Sequence, residues 1–248
     1  MMIKEIAQHR SIRKFKPEPI SDTILNEILE AATRASTTGN MQVYSIIVTT
    51  DNEIKERLLP CHFNQAMVQQ APVVMTFCAD FNRFTRWCRL RNADDGAYNN
   101  FLSFVTAAID ALLAAQNASL EAEAHGLGIC YLGTTTYTAS KIIEILNIPK
   151  GVVPVTTLVI GYPAELPALT DRLPMRAVVH SQTYQDYSDM EIEALYIEKE
   201  SRQDSRKFVA ENNKQNLAQV FTDVRYTRKD NILFSDMLFN VLKVQGFL

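Results

Sequence analysis

Residues 101–118, FLSFVTAAIDALLAAQNA, are apolar around almost the whole circumference of a helix, and six of them are alanine. A helix with no polar face has to be enclosed, by a large core or by an oligomer interface. Small side chains at Ala107, Ala108, Ala111, Ala114, Ala115 and Ala118 let neighbouring elements approach closely. Asp110, Gln116 and Asn117 interrupt the run, so it reads as too short and too polar for a membrane span. The helix extends over 99–125, and Gly126 and Gly128 are read as C-cap positions of positive φ. The rest of the chain must therefore supply layers around this rod, and 248 residues are enough to do so.

Those layers are visible as alternating patterns. Residues 43–50 (VYSIIVTT), 73–79 (VVMTFCA) and 153–162 (VPVTTLVIGY) are β-branched runs of strand length, and 129–132 is a shorter one. Helical spacing marks 21–34, with Ser21 as N-cap, then 51–59 up to Pro60, and 139–146. The expected class is α+β, a mixed sheet flanked by helices. From about residue 181 onward apolar residues thin out, with a helix around 234–244. We therefore expect a core over 1–180 and an extension over 181–248 that wraps the core or a partner subunit.

Charge and cysteine usage remove several function classes. A net charge of −3 gives no reason to expect nucleic acid as a partner. Cys61, Cys78, Cys88 and Cys130 form no CxxC pair, and the opening residues lack an apolar signal segment. A cytoplasmic, membrane-free location is expected. Four histidines without metal-type spacing predict no metal site, and no GxSxG elbow is present. The sequence Gly126-Leu127-Gly128 follows a helix and lacks the third glycine of a dinucleotide fingerprint. Cys61-His62 reads either as a thiolate pair or as a partly buried loop cysteine beside an unrelated histidine. With no evident nucleophile or metal, redox chemistry here requires an organic cofactor.

The segment His9-Arg10-Ser11-Ile12-Arg13 concentrates an imidazole, a hydroxyl and two guanidiniums. In extended backbone His9, Ser11 and Arg13 share one side. Such a row suits a phosphate, although a solvated basic turn has the same composition. His9-Arg10-Ser11-Ile12-Arg13-Lys14-Phe15 followed by Glu18-Pro19-Ile20 resembles the opening of the nitroreductase family, in particular its oxygen-insensitive NADPH nitroreductase and flavin reductase subgroup. Further matches keep the family's order: Ser36-Thr37-Thr38-Gly39-Asn40-Met41-Gln42, the stretch from Phe77 to Arg83, Asp110 with Ala115-Gln116-Asn117-Ala118, Gly161-Tyr162-Pro163-Ala164 and Arg172-Leu173-Pro174.

The resemblance implies FMN bound at a homodimer interface, with NADPH or NADH as reductant. It assigns the phosphate end to His9, Arg10, Ser11 and Arg172. It sets Arg13 near the N1/O2 edge of the flavin, where a fixed cation stabilises the charge that hydride transfer creates. Gln65 corresponds to a flavin-edge contact, Thr37, Thr38 and Gln42 to a loop beside the ring, and Leu132 and Gly133 to backbone passing it. Two positions depart from the family: Thr170 stands where relatives carry a lysine, and Thr134 where they carry a second glycine. Arg202, Arg206 and Arg228 match a region that grips the NADPH 2′-phosphate, or else form a solvated face. Asp110 is read as an essential acid or as a hydrogen-bonded structural aspartate. The implied activity is transfer of hydride from NAD(P)H through FMN to nitroaromatics, quinones or free flavin by a ping-pong mechanism. The alternatives are a dedicated flavin reductase and a non-enzymatic flavin-binding or storage protein.

Overall fold

A computed structural model of the chain describes residues 2–248. The elements run α1 (Lys4–Gln8), α2 (Asp22–Thr33), β1 (Tyr44–Thr49), α3 (Asn52–Leu58), α4 (Met67–Gln70), β2 (Val73–Asp80), α5 (Asn82–Leu90), α6 (Phe101–Ala124), β3 (Gly128–Leu132), α7 (Ala139–Ile145) and β4 (Val152–Gly161), followed by α8 (Asp189–Ser201), α9 (Gln203–Glu211), α10 (Leu217–Val220) and α11 (Arg228–Gln245). They form two compact units. The main unit holds the chain up to Ala168 together with Phe234–Leu248, and Leu169–Leu233 forms the second.

In the main unit four strands pair antiparallel in the order β1-β2-β4-β3. Among the described residues, parallel pairing is limited to a bridge between Ser11 and Ile129, which lays the N-terminal segment along the β3 edge. All eight residues of β2 are buried, as a central strand covered on both faces requires. Period-two alternation sends Val73, Met75 and Phe77 to one face and Val74 and Cys78 to the other. Pro154 cannot donate to a ladder, and it sits where the β2–β4 register slips beside Phe77 and Cys78.

On the first face lie α2 and α6. Ser21 caps α2 by accepting from the Ile24 amide, and Ile28 and Ala32 pack on Ala111, Ala115 and Ala118 of α6. On the second face Leu58, Met67, Val68 and Ile142 close over Val74, Val159 and Leu132. The long helix α6 contacts every strand of the sheet. It is in fact long and apolar enough to span a bilayer, contrary to the reading of its sequence. Its alanine face is instead packed against β2, and Asp110 is hydrogen-bonded inside the protein. The opposite side leaves Phe101, Leu102, Ile109, Leu112 and Leu113 exposed.

Gly126 follows α6 with φ +75, as a C-terminal stop demands. Gly128 differs from expectation. It lies in β3 without positive φ, and its constraint is proximity: an added Cβ would stand 2.5 Å from Ile12 Cγ1. The end of the chain returns to the main unit, where Val241, Leu242 and Phe247 pack with Phe104 and Ala107. The second unit is helical; α8 opens with a capping box between Ser188 and Glu191, and Arg225 lies over the Phe208 ring at 4.9 Å.

Candidate functional site

The N-terminal segment leaves α1 at His9 and joins the β3 edge through Ile12 N–H, which donates to Ile129 O at 2.8 Å. Ile12 is buried against Gly128, so its neighbours in the row face the other way. Burial pushes the Cys130 thiol up, and the nearby Arg13 charge and Ser11 hydroxyl offset part of that rise. His9 Nδ1 meets Glu123 Oε1 at 2.8 Å. Burial raises the Glu123 carboxyl, and His9 opposes that rise. Arg10 turns aside: Nη1 donates to Pro167 O at 3.0 Å and Nε to Gln8 O at 3.1 Å, beside a cleft of about 240 Å³.

At the far end of β3, Leu132 is buried and Gly133 is exposed, with open space where its side chain would be. The segment carrying Gln65 adjoins this turn. His62 Nδ1 is 2.9 Å from Thr134 Oγ1, Thr138 Oγ1 donates to Cys61 O at 2.8 Å, and Gln65 N–H donates to His62 O at 3.1 Å. His62 is wholly buried and its proton affinity is pushed down to about 4 by desolvation. Cys61 is also raised by burial, so the adjacent pair is no thiolate–imidazole couple.

Thr37, Thr38 and Gln42 belong to a different locality. Asp110, 1% exposed, accepts from Thr38 N–H at 3.0 Å and from Val43 N–H at 3.4 Å, pinning the loop to the middle of α6. Of the two readings of Asp110, the geometry supports the structural one. Gln42 has φ +53, and its carbonyl accepts from Arg83 Nη2. Glu123, which holds His9, lies thirteen positions beyond Asp110 on α6, about 20 Å along the axis at 1.5 Å per residue. Within one chain, then, the 37–42 loop and the His9 row stay apart.

The second unit carries Arg172, Arg202, Arg206 and Arg228. Arg172 Nη1 donates to Thr170 Oγ1 at 2.6 Å, so the threonine orients the arginine two positions on. Lys199 pairs with Asp171 at 2.8 Å, which holds that carboxyl below its usual range. Arg202 is engaged by both oxygens of Asp204 at 3.1 Å. Arg206 lines a small cavity with Glu200, Lys214 and Asn216, and Arg228 begins α11.

Three partners escaped the sequence reading: Glu123 behind His9, the Asp110 clamp on Thr38, and the His62–Thr134 pair. Glu123 left a signal, since an acid in the last turn of a helix opposes the helix dipole and asks for a cation nearby. No cluster of His, Cys, Asp or Glu able to hold a metal occurs among the described residues.

The profile of the Nitroreductase family matches residues 6–162. An FMN reductase [NAD(P)H] of Bacillus subtilis is 36% identical over 192 residues, covering 76% of each chain. The oxygen-insensitive NADPH nitroreductase of Salmonella typhimurium is 38% identical over 183 residues, covering 74% of each. A crystal structure from Bacteroides fragilis, of a protein provisionally called an oxidoreductase, superposes with a TM-score of 0.97 at 51% identity, over 99% of this chain and 100% of that one. The helix-flanked antiparallel sheet, the His9–Arg13 row on its edge and these matches together make the chain a member of the nitroreductase family.

Proposed function

We propose that this chain, an FMN-using, NAD(P)H-dependent oxidoreductase, reduces nitroaromatics, quinones or free flavin by a ping-pong cycle in a homodimer. The observation that carries the reading is the row His9, Ser11, Arg13 fixed along the β3 edge, whose strand ends at the open backbone of Gly133. These residues fit FMN: hydroxyl, imidazole and guanidinium donors suit its phosphate, and a glycine with no neighbour in front of it admits a planar ring. When bound, FMN accepts a hydride from the nicotinamide and hands two electrons to the acceptor.

The chain's own part is placement and electrostatics. With Nδ1 held by Glu123, the Nε2 of His9 is the nitrogen left for a phosphate oxygen. Ser11 supplies a hydroxyl beside it. Arg13 is exposed and makes no ion pair among the described residues, so its charge is free to face the N1/O2 edge. Arg10 keeps unused N–H groups after bracing Pro167. Gln65 serves the ring edge, and Leu132 and Gly133 present backbone to it. Thr37, Thr38 and Gln42 are contributed by the second chain, since their own loop is anchored about 20 Å along α6 from the His9 row. The exposed stripe Leu102, Ile109, Leu112 and Leu113 on α6 is the surface that pairing would cover. Arg206 and Arg228 attract the 2′-phosphate of NADPH, while Arg202 is already neutralised by Asp204.

The test is direct. FMN-loaded protein mixed with NADPH or NADH under argon is expected to lose its yellow colour, and a panel of nitrofuran, quinone and free-flavin acceptors restores it at rates that rank the substrates. Colour that persists with both nicotinamides would overturn the enzyme reading in favour of flavin storage.

A further inference from the structure

His62 is fully buried, yet only one of its two ring nitrogens has a partner. Nδ1 lies 2.9 Å from Thr134 Oγ1, and Nε2 has none. Whichever of the two groups donates, the second nitrogen is left without a protein partner inside the core, a burden that an aliphatic or phenyl side chain of similar size would not impose. A residue kept only for packing gains nothing from this arrangement.

The hydrogen bond joins two segments at a point of strain. Immediately after His62 the backbone passes through two successive left-handed residues, Phe63 at φ +53 and Asn64 at φ +56, before reaching Gln65. Neither is glycine, and such conformations persist only where the surroundings hold them. On the other side of the bond, the turn after β3 is drawn tight by Thr135 Oγ1, which donates to Leu132 O at 2.8 Å and meets Thr157 Oγ1 at 3.0 Å. Thr138 Oγ1 reaches Cys61 O at 2.8 Å and Thr134 O at 3.3 Å, tying the same two segments a second time. The Thr134 hydroxyl is spent on His62.

We propose that His62 is a positioning residue that acts through Thr134, fixing the spacing between the Gln65 side chain and the Leu132–Gly133 backbone so that both meet one edge of a planar cofactor. The inference rests on the FMN reading given above. The clamp works with a neutral ring, in keeping with the desolvation that disfavours its charged form. His62 itself touches no cofactor.

The experiment compares wild type with Thr134→Val, which removes the hydroxyl at constant shape, the double variant His62→Leu/Thr134→Val, and His62→Asn, whose amide reaches the place of Nδ1. Tm is measured on each apoprotein, and FMN affinity by fluorescence quenching. The double variant is expected to melt at or above the wild-type temperature, because both partners of a half-satisfied pair are gone. Its FMN Kd is expected to rise about five- to ten-fold, the loss of one net hydrogen bond's worth of preorganisation. Thr134→Val alone weakens FMN binding in the same direction, and His62→Asn restores affinity towards wild type. An unchanged Kd in both Val variants, with wild type binding FMN normally, overturns the positioning role alone. A wild-type protein that takes up no FMN overturns the cofactor assignment and this inference with it.

Discussion

Asp110 accepts from two backbone amides through one carboxylate, a strong acceptor set against donors that nothing else satisfies. Asp110→Ala is expected to lower stability by about 3 kcal/mol, read as a shifted urea midpoint, because the Thr38 and Val43 amides are stranded. Asn, which keeps an acceptor oxygen, is expected to lose less. His62 makes a second prediction at this scale. Its folded value, near 4, lies below the ordinary 6.5, so the unfolded chain binds the extra proton between those limits. The associated stability, about 3 kcal/mol at most, is fully present above pH 6.5 and is lost as pH falls through 4. Urea titrations at pH 7.5 and 4.5 are expected to show this loss in wild type and to show less of it in His62→Asn. Arg13→Ala is expected to slow flavin reduction by NADPH at least about ten-fold in stopped-flow traces, since it removes the cation proposed to lie near the reducing edge. An unchanged rate takes Arg13 out of the mechanism.

At the scale of elements, the N-terminal segment lies where it does because of one missing side chain. A methyl group on Gly128 would collide with Ile12 Cγ1 and Cβ, at 2.5 and 2.7 Å, forcing the segment off β3. Gly128→Ala is expected to cost about 1–3 kcal/mol and to weaken FMN binding along with stability, with Ile12→Val recovering part of both. Equal FMN affinity in Gly128→Ala would mean that the row does not depend on this contact. Legibility follows the same lines. In the core the strands and the longer helices were readable within one or two residues, as for 43–50 against Tyr44–Thr49 and 51–59 against Asn52–Leu58, because alternation and capping residues are local signals; the last helix, read as 234–244, begins six residues earlier at Arg228, and the helices over Asp189–Val220 went unread. The pairing of His9 with Glu123 and of Thr38 with Asp110 was not, since each joins residues far apart in the chain and no short pattern encodes that meeting. Gly128 was misread for the same reason: the demand on it comes from Ile12, 116 positions earlier, not from its own φ. Arg10 was read as part of the same row, but its guanidinium is bonded to Pro167 O, a contact 157 positions away that no local pattern announces.

For the whole molecule the governing quantity is the apolar surface that α6 leaves uncovered. Ile109, Leu112 and Leu113 are 50%, 46% and 43% exposed, on a helix whose other face is sealed. Each is already half covered, so burying the remainder gains about half of the ~1.5–3 kcal/mol that full burial of an exposed side chain is worth, a contribution to pairing that adds up along the stripe. Leu112→Glu with Leu113→Glu is expected to sediment as a monomer and to lose FMN, whereas a monomeric variant that keeps its flavin would place the whole site within one chain. Composition and pattern made the stripe readable as an enclosed helix from the start; which half the chain encloses by itself became clear only once the sheet was in place.

The carboxylates at Asp110 and Glu123 divide one helix into two addresses about 20 Å apart, each tethering a different set of the groups proposed to face the flavin. In a twofold pair, every cofactor then reads one address from each rod, and damage at the two addresses complements. Co-refolding a His9→Ala, Ser11→Ala chain with a Thr38→Ala, Gln42→Ala chain, each inactive alone, generates hybrids with one sound pocket and one doubly wounded. Activity reborn from two dead parents would be the signature of that shared authorship.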